Sequence, residues 1–179
     1  FRMKADGSDL ERLVIGLWNP FDLGIDAYGR LFEVDNDPHW RPPCRLLHLV
    51  RGGDYGYRFT YGGHGVHPFL SWFGELPGTL GMVAATGEAP SGVLVYESDG
   101  LPSEYVGHVL TTSWAYHSIE RFALERAGAS FRSHAQTIIR GNHTFRPVGI
   151  ALAPDGSLYV SDWVSRAYEL HGKGRIWRI

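Results

Sequence analysis

The sequence predicts an all-β fold, a portion of a β-propeller built from about three to four four-stranded blades, and three observations carry this prediction. The two ends of the chain repeat each other. Asn19 to Asp35 lies over Arg146 to Asp162 in one register, with Pro20 over Pro147, Gly29 over Gly156, Leu31 over Leu158 and Asp35 over Asp162. That offset is about three units of the roughly 40 to 45 residues that make one propeller blade. A third copy lies between them, Ala89 to Tyr96 and then His108 to Trp114, with the same order of proline, short apolar strand, turn, second apolar strand and a small or acidic residue. The composition agrees, because 23 Gly, 10 Pro and 13% aromatic residues favour short strands and tight turns over packed helices.

The elements follow in order. Asp6-Gly7-Ser8 is a turn, and Glu11 to Gly16 reads as an apolar-leaning strand, the tail of a blade that begins before Phe1. Leu23 to Ile25 and Arg30 to Val34 read as strands around Tyr28-Gly29, where glycine can take positive φ. Asp35 to Pro43 is an acidic, proline-rich loop, and Cys44 to Val50 a strand ending at Gly52-Gly53. Ser118 to Leu124 and Thr137 to Arg140 read as outer strands around Ala127-Gly128-Ala129. Val148 to Leu152, Ser157 to Ser161 and Arg175 to Ile179 supply three more.

Blade-like repeats therefore fall near 17–58, 88–125 and 145–179, with an irregular insertion at 57–87, rich in Gly, aromatic residues and His. Closed propellers need at least four blades and commonly have six to eight. Each repeat buries its apolar face against its neighbours, so an open arc would leave end faces uncovered. The expected parent is longer than this chain.

Composition also narrows function. A formal net charge of −2 offers no basic footprint for nucleic acid. No stretch is apolar for long enough to span a membrane as a helix. Cys44 is the single cysteine, so no disulfide closes within the chain and no zinc site is built from cysteines; it reads as a buried or idle thiol. No nucleophile elbow or paired-carboxylate motif supports hydrolysis.

Several residue sets remain as site candidates. Asp35-Asn36-Asp37-Pro38 ends a strand where the loops of a propeller face begin, and reads either as an Asx turn or as a loop facing calcium or a cofactor. His64, His67 and Trp72 lie in the insertion and either line a sugar pocket or pack the insertion on its own blade. Trp114 and Trp163 occupy equivalent strand ends and read as packing between blades. Arg146, beside Phe145, is the leading anion-binding residue.

Gly16-Leu17-Trp18-Asn19-Pro20, Gly52-Gly53-Asp54-Tyr55-Gly56-Tyr57, Ala89-Pro90-Ser91-Gly92 and Ala153-Pro154-Asp155-Gly156-Ser157-Leu158-Tyr159 occur in this order and resemble the glucose/sorbosone dehydrogenase superfamily of β-propellers. Asp35-Asn36-Asp37-Pro38, Gly74-Glu75-Leu76-Pro77-Gly78-Thr79 and His171-Gly172-Lys173-Gly174-Arg175-Ile176-Trp177-Arg178 look like the membrane-bound dehydrogenases of planctomycetes. The resemblance covers nearly the whole chain.

It implies the later blades of a roughly six-bladed propeller, an oxidoreductase module acting on a sugar or alcohol, and a periplasmic or membrane-associated setting. Electrons would pass to a haem on a cytochrome domain elsewhere in the parent. It also implies pyrroloquinoline quinone (PQQ) and calcium as cofactors, with Asn19 and Arg146 on the quinone and Tyr55 beside the calcium; Asp35, Asn36 and Asp37 are metal candidates from the oxygen-rich loop itself. The catalytic histidine of that superfamily belongs to an earlier blade, upstream of Phe1.

Three positions depart from the pattern: Trp18 and Val148 stand where arginines are expected, and Arg45 near where a carboxylate is expected. These departures favour an alternative, a non-catalytic propeller that binds a carbohydrate or a protein partner.

Overall fold

The computed structural model describes residues 1–38, 41–58 and 70–179. Their regular structure is β-strand apart from one short 3-10 turn at Ser103–Tyr105. The first sheet takes β1 (Asn19–Ile25), β2 (Leu31–Asn36), β3 (Arg45–Leu49) and β4 (Ala84–Ala85) in that order. The second takes β5 (Pro90–Val95), β6 (Val109–Ser113), β7 (Ser118–Phe122) and β10 (Gln136–Arg140), with the hairpin β8 (Glu125–Ala127) and β9 (Ser130–Arg132) between its last two strands. The third takes β11 (Pro147–Leu152), β12 (Leu158–Asp162) and β13 (Arg175–Arg178). All pairings within the sheets are antiparallel, so each sheet is a meander of neighbouring strands.

The repeat seen in the sequence is a repeat of pairing. Pro20 faces Asp35, Pro90 faces Ser113 and Pro147 faces Asp162, and each proline is followed by a break in register. Proline has no N–H for the ladder, so the start of a strand beside a bulge is where a sheet accepts it. The first strands β1, β5 and β11 lie side by side, which sets the sheets face to face around a common axis as propeller blades.

Glycine permits that closeness. A Cβ on Gly92 would lie 2.6 Å from the Val148 carbonyl oxygen, and one on Gly24 would lie 2.9 Å from Val93.

Alternating strand faces build the core. Phe32, Val34 and Leu46 of the first sheet pack with Val93, Val95, Val109 and Phe122 of the second. Tyr96, Leu110 and Leu158 join the second sheet to the third, as do Ile119, Phe145 and Val160. The Tyr96 hydroxyl adds a polar tie, donating to the Gly156 carbonyl at 2.9 Å.

Two expectations change. Glu11 to Gly16 enters no sheet; apart from the isolated bridges Arg2–Glu11 and Ile15–Asp54, it runs as a strap hydrogen-bonded to the 52–57 loop through Leu13, Ile15 and Gly16. The described part of the expected insertion, 70–87, supplies the strand β4 that completes the first sheet.

Candidate functional site

Because each first strand begins beside the end of its second strand, all three blades present the same two positions at one end. Residues just before the prolines are Asn19, Ala89 and Arg146, and those just after the second-strand acid or serine are Asn36, Trp114 and Trp163. A cavity of about 490 Å³ opens there. Asn19, Asn36 and Asp37 line it from the first blade, Glu88, Ser91 and Trp114 from the second, and Val148, Trp163 and Tyr168 from the third.

Buried polar groups fix the backbone of that rim. Asp35 accepts the Asn19 N–H at 2.7 Å, and Asp162 accepts the Arg146 N–H at 2.8 Å. Each acid is paired with an arginine that begins the third strand of its blade, Arg45 at 2.9 Å and Arg175 at 2.8 Å. The middle blade uses different residues for the same purpose: the Ser113 hydroxyl donates to the Glu88 carbonyl at 2.7 Å, and Glu120 accepts the Gly87 N–H at 2.8 Å. Burial pushes the Asp35 carboxyl up, against the pull of Arg45. At Asp162 burial acts the same way but is outweighed by the Arg146 N–H, the Trp177 indole and Arg175, which hold that carboxyl below its ordinary value.

Part of the cavity wall is aromatic, with a buried cation behind it. The Arg146 guanidinium lies 4.2 Å from the centre of the Trp114 ring, and Tyr168 stacks on the same indole at 5.7 Å and 10°. Arg146 is buried and donates to the Trp114 carbonyl at 3.3 Å, but its Nε has no partner and it forms no ion pair among the described residues. Burial and the nearby Arg166 lower its pKa.

Another part of the wall is acidic. Asp37 and Glu88 line the cavity and converge on the buried Cys44, whose Sγ lies 3.2 Å from Asp37 Oδ1 and 3.7 Å from Glu88 Oε2. Burial, and then the Asp37 carboxylate, push the Glu88 carboxyl up. Burial is also the main reason the Cys44 thiol is held well above its ordinary value.

The sequence-derived candidates divide accordingly. Asn19, Asn36 and Asp37 meet at the cavity, with Arg146 behind Trp114. Asp35 and Tyr55 lie elsewhere: the Asp35 carboxylate is enclosed with Arg45, while the Tyr55 hydroxyl donates to the His48 carbonyl at 2.6 Å and its carbonyl accepts from Arg45 at 2.9 Å. Both residues thus already give oxygens to the Arg45 cation. Trp72 is fully buried beneath the Arg45 guanidinium, 3.4 Å from its ring centre, and so forms no sugar-facing wall. His64 and His67 lie outside the described residues.

Trp114 lines the cavity and also packs between blades, against Arg146 and Tyr168 of the third; Trp163 lines the cavity and donates its indole N–H to the Ala167 carbonyl of its own blade. Glu88, Cys44 and Tyr168 carried no motif; the repeat register alone could have brought the blade-end positions into one list.

Residues 1–171 match the family model described as "Domain of unknown function (DUF7133)". The chain belongs to this family. No curated protein matches it. Solved structures do: a putative oxidoreductase (glucose dehydrogenase) from Thermus thermophilus superposes with a TM-score of 0.71 at 20% identity over 94% of this chain and 47% of that one. The PQQ-bound form of aldose sugar dehydrogenase from Streptomyces coelicolor gives 0.69 at 21% identity over 99% and 50%. The soluble aldose sugar dehydrogenase from Escherichia coli, in its apo-form, gives 0.64 at 19% over 89% and 46%. At these identities the likeness establishes the β-propeller fold, and the chain spans about half the length of the structures it matches.

Proposed function

We propose that this chain is the propeller module of a sugar or alcohol dehydrogenase and that the cavity between its blade ends holds PQQ. The observation that carries the reading is the convergence of Asn19, Asn36 and Trp114 on one cavity, backed by a buried arginine without a carboxylate partner. A planar polyanion suits such a wall: the guanidinium is a rigid fork of donors, and an aromatic ring offers a flat apolar face. Asn19 would bond the anionic edge, Arg146 would add its positive charge from behind Trp114, and Trp114, held between Arg146 and Tyr168, would help set the plane of the ring. When bound, the quinone supplies the two-electron acceptor for oxidation of an alcohol carbon.

The acidic wall opposes an anion unless a cation lies between them. The Asp35, Asn36, Asp37 and Tyr55 set does not fit calcium, because Arg45 already bonds the oxygens of Asp35 and Tyr55. Within the reading, the proton-accepting histidine comes from an earlier blade and electrons leave to a haem on a cytochrome domain of the parent. The setting is periplasmic or membrane-associated, as in the planctomycete dehydrogenases that the chain resembles. No helix among the described residues is long and apolar enough to cross a membrane.

The test is a PQQ titration of the full-length protein followed by tryptophan fluorescence. Saturable quenching that Arg146→Ala weakens supports the reading; a folded protein that shows no binding overturns it. Val148 and Arg45, which stand where the quinoproteins carry an arginine and a carboxylate, favour a second reading, a propeller that binds a carbohydrate or protein without catalysis. Sugar binding without PQQ would establish that one.

A further inference from the structure

We propose that Asp37, Cys44 and Glu88 form a binding site for a borderline-soft divalent metal of the zinc or cobalt class, set in the wall of the cavity. One ligand atom from each of the three lies within 4.8 Å of the others. Around a tetrahedral ion, a thiolate at about 2.3 Å and a carboxylate oxygen at about 2.0 Å stand roughly 3.5 Å apart. The Cys44 Sγ distances to Asp37 Oδ1 and Glu88 Oε2, 3.2 and 3.7 Å, fall on either side of that value. Closing the set around an ion takes only small side-chain movements.

Charge points the same way. Asp37 and Glu88 face one another, and neither forms an ion pair with a basic residue among the described residues, although the other rim acid pairs, Asp35–Arg45 and Asp162–Arg175, do. A divalent ion would remove that repulsion. Repeat position excludes a packing role shared by the blades: the residues aligned with Asp37 and Cys44 in the third blade are Val164 and Gly174.

Ligand chemistry selects the ion. Calcium and magnesium prefer oxygen alone, whereas a thiolate with two carboxylates suits zinc or cobalt. Because the thiol is buried, the metal must displace its proton, so binding strengthens as pH rises. Three protein ligands leave a fourth position, and two of the three line the cavity, so the remaining place opens toward whatever the cavity holds.

The inference stands without the quinone, and its test is made in the absence of quinone. Cobalt(II) is titrated into the full-length, metal-stripped protein while the near-ultraviolet thiolate-to-cobalt absorption and the visible bands of a tetrahedral ion are recorded. The expected result is saturation at one equivalent, displacement of the signal by zinc but not by calcium, and loss of the near-ultraviolet band in Cys44→Ser. Asp37→Asn and Glu88→Gln, each verified as folded by circular dichroism, should weaken binding, while Arg146→Ala should retain it. Absence of the band in the folded parent, or equal cobalt uptake by Cys44→Ser, would overturn the proposal whether or not PQQ binds.

Discussion

Asp35 and Arg45 face each other directly across β2 and β3, fully enclosed, with Oδ2 2.9 Å from Nη2. The same guanidinium donates to the Tyr55 and Trp72 carbonyls at 2.9 Å and to the Gly16 carbonyl at 3.3 Å, so one cation joins the strap, the 52–57 loop, the 70–87 segment and the first sheet. It lies where the quinoprotein resemblance expects a carboxylate beside calcium. A side chain thus holds oxygens that a metal would otherwise gather.

Removing half of such a pair is costly because the remaining charge stays buried without a partner. Arg45→Met should destabilise the protein by about 3 to 5 kcal/mol, whereas Arg45→Met combined with Asp35→Asn should recover part of that loss. Urea denaturation of the two variants measures the difference. Equal stability of the single variant and the parent would mean that the guanidinium is not the joint.

Glu33 gives the protein an unusual pH response. Its side chain is buried, neither oxygen has a hydrogen-bond partner, and burial, with the neighbouring Asp35 carboxylate, pushes its carboxyl up to about 9. The folded state therefore holds this proton more tightly than the unfolded chain. Its contribution is fully present below the unfolded value near 4.5 and is lost as pH rises toward 9. Glu33→Gln, neutral throughout, should flatten the decline in melting temperature across that range. An unchanged slope would show that Glu33 ionises normally.

Gly92→Ala should loosen the junction of the second and third blades. Its Cβ would meet the backbone oxygen of Val148 at 2.6 Å and the Thr112 hydroxyl at 2.9 Å, and backbone cannot rotate aside. A loss of about 1 to 3 kcal/mol is expected, as for overpacking in a core. Thermal unfolding of the variant checks this, and an unaltered midpoint would mean that the blades can part at no cost.

Legibility in the sequence followed from periodicity. Pro20, Pro147, Asp35 and Asp162 could be aligned by eye because each pairing at a blade end repeats, and β1, β2, β11 and β12 follow from that alignment. The strap at 11–16 reads as a strand because of its apolar run Leu13-Val14-Ile15, yet its backbone bonds go to Arg2 and the 52–57 loop and to no sheet ladder. The cavity-lining role of Trp163 is not legible because a recurring tryptophan looks the same in sequence whether it fills a blade interface, as Trp114 does, or only lines a cavity. The meeting of Cys44 with Glu88 lies between blades, and no local pattern encodes a contact across 44 residues.

Asp162 links stability to the candidate site. It accepts the Arg146 and Val164 N–H groups at 2.8 and 2.9 Å, the Trp177 indole at 2.9 Å and the Arg175 guanidinium at 2.8 Å. Burial works against the charge, but these donors together hold its pKa below the ordinary value, so the folded state favours the carboxylate. The stability it gives is present above the unfolded value of 3.8 and is lost as pH falls through the lower folded one. Asp162→Asn should remove this acid-range dependence and lower stability at neutral pH by about 1 to 3 kcal/mol. Because the same carboxylate fixes the backbone of Arg146, the variant should also weaken PQQ binding at a pH where it remains folded. Normal PQQ affinity in a destabilised Asp162→Asn would show that Trp114, and not the Asp162 clamp, positions the arginine.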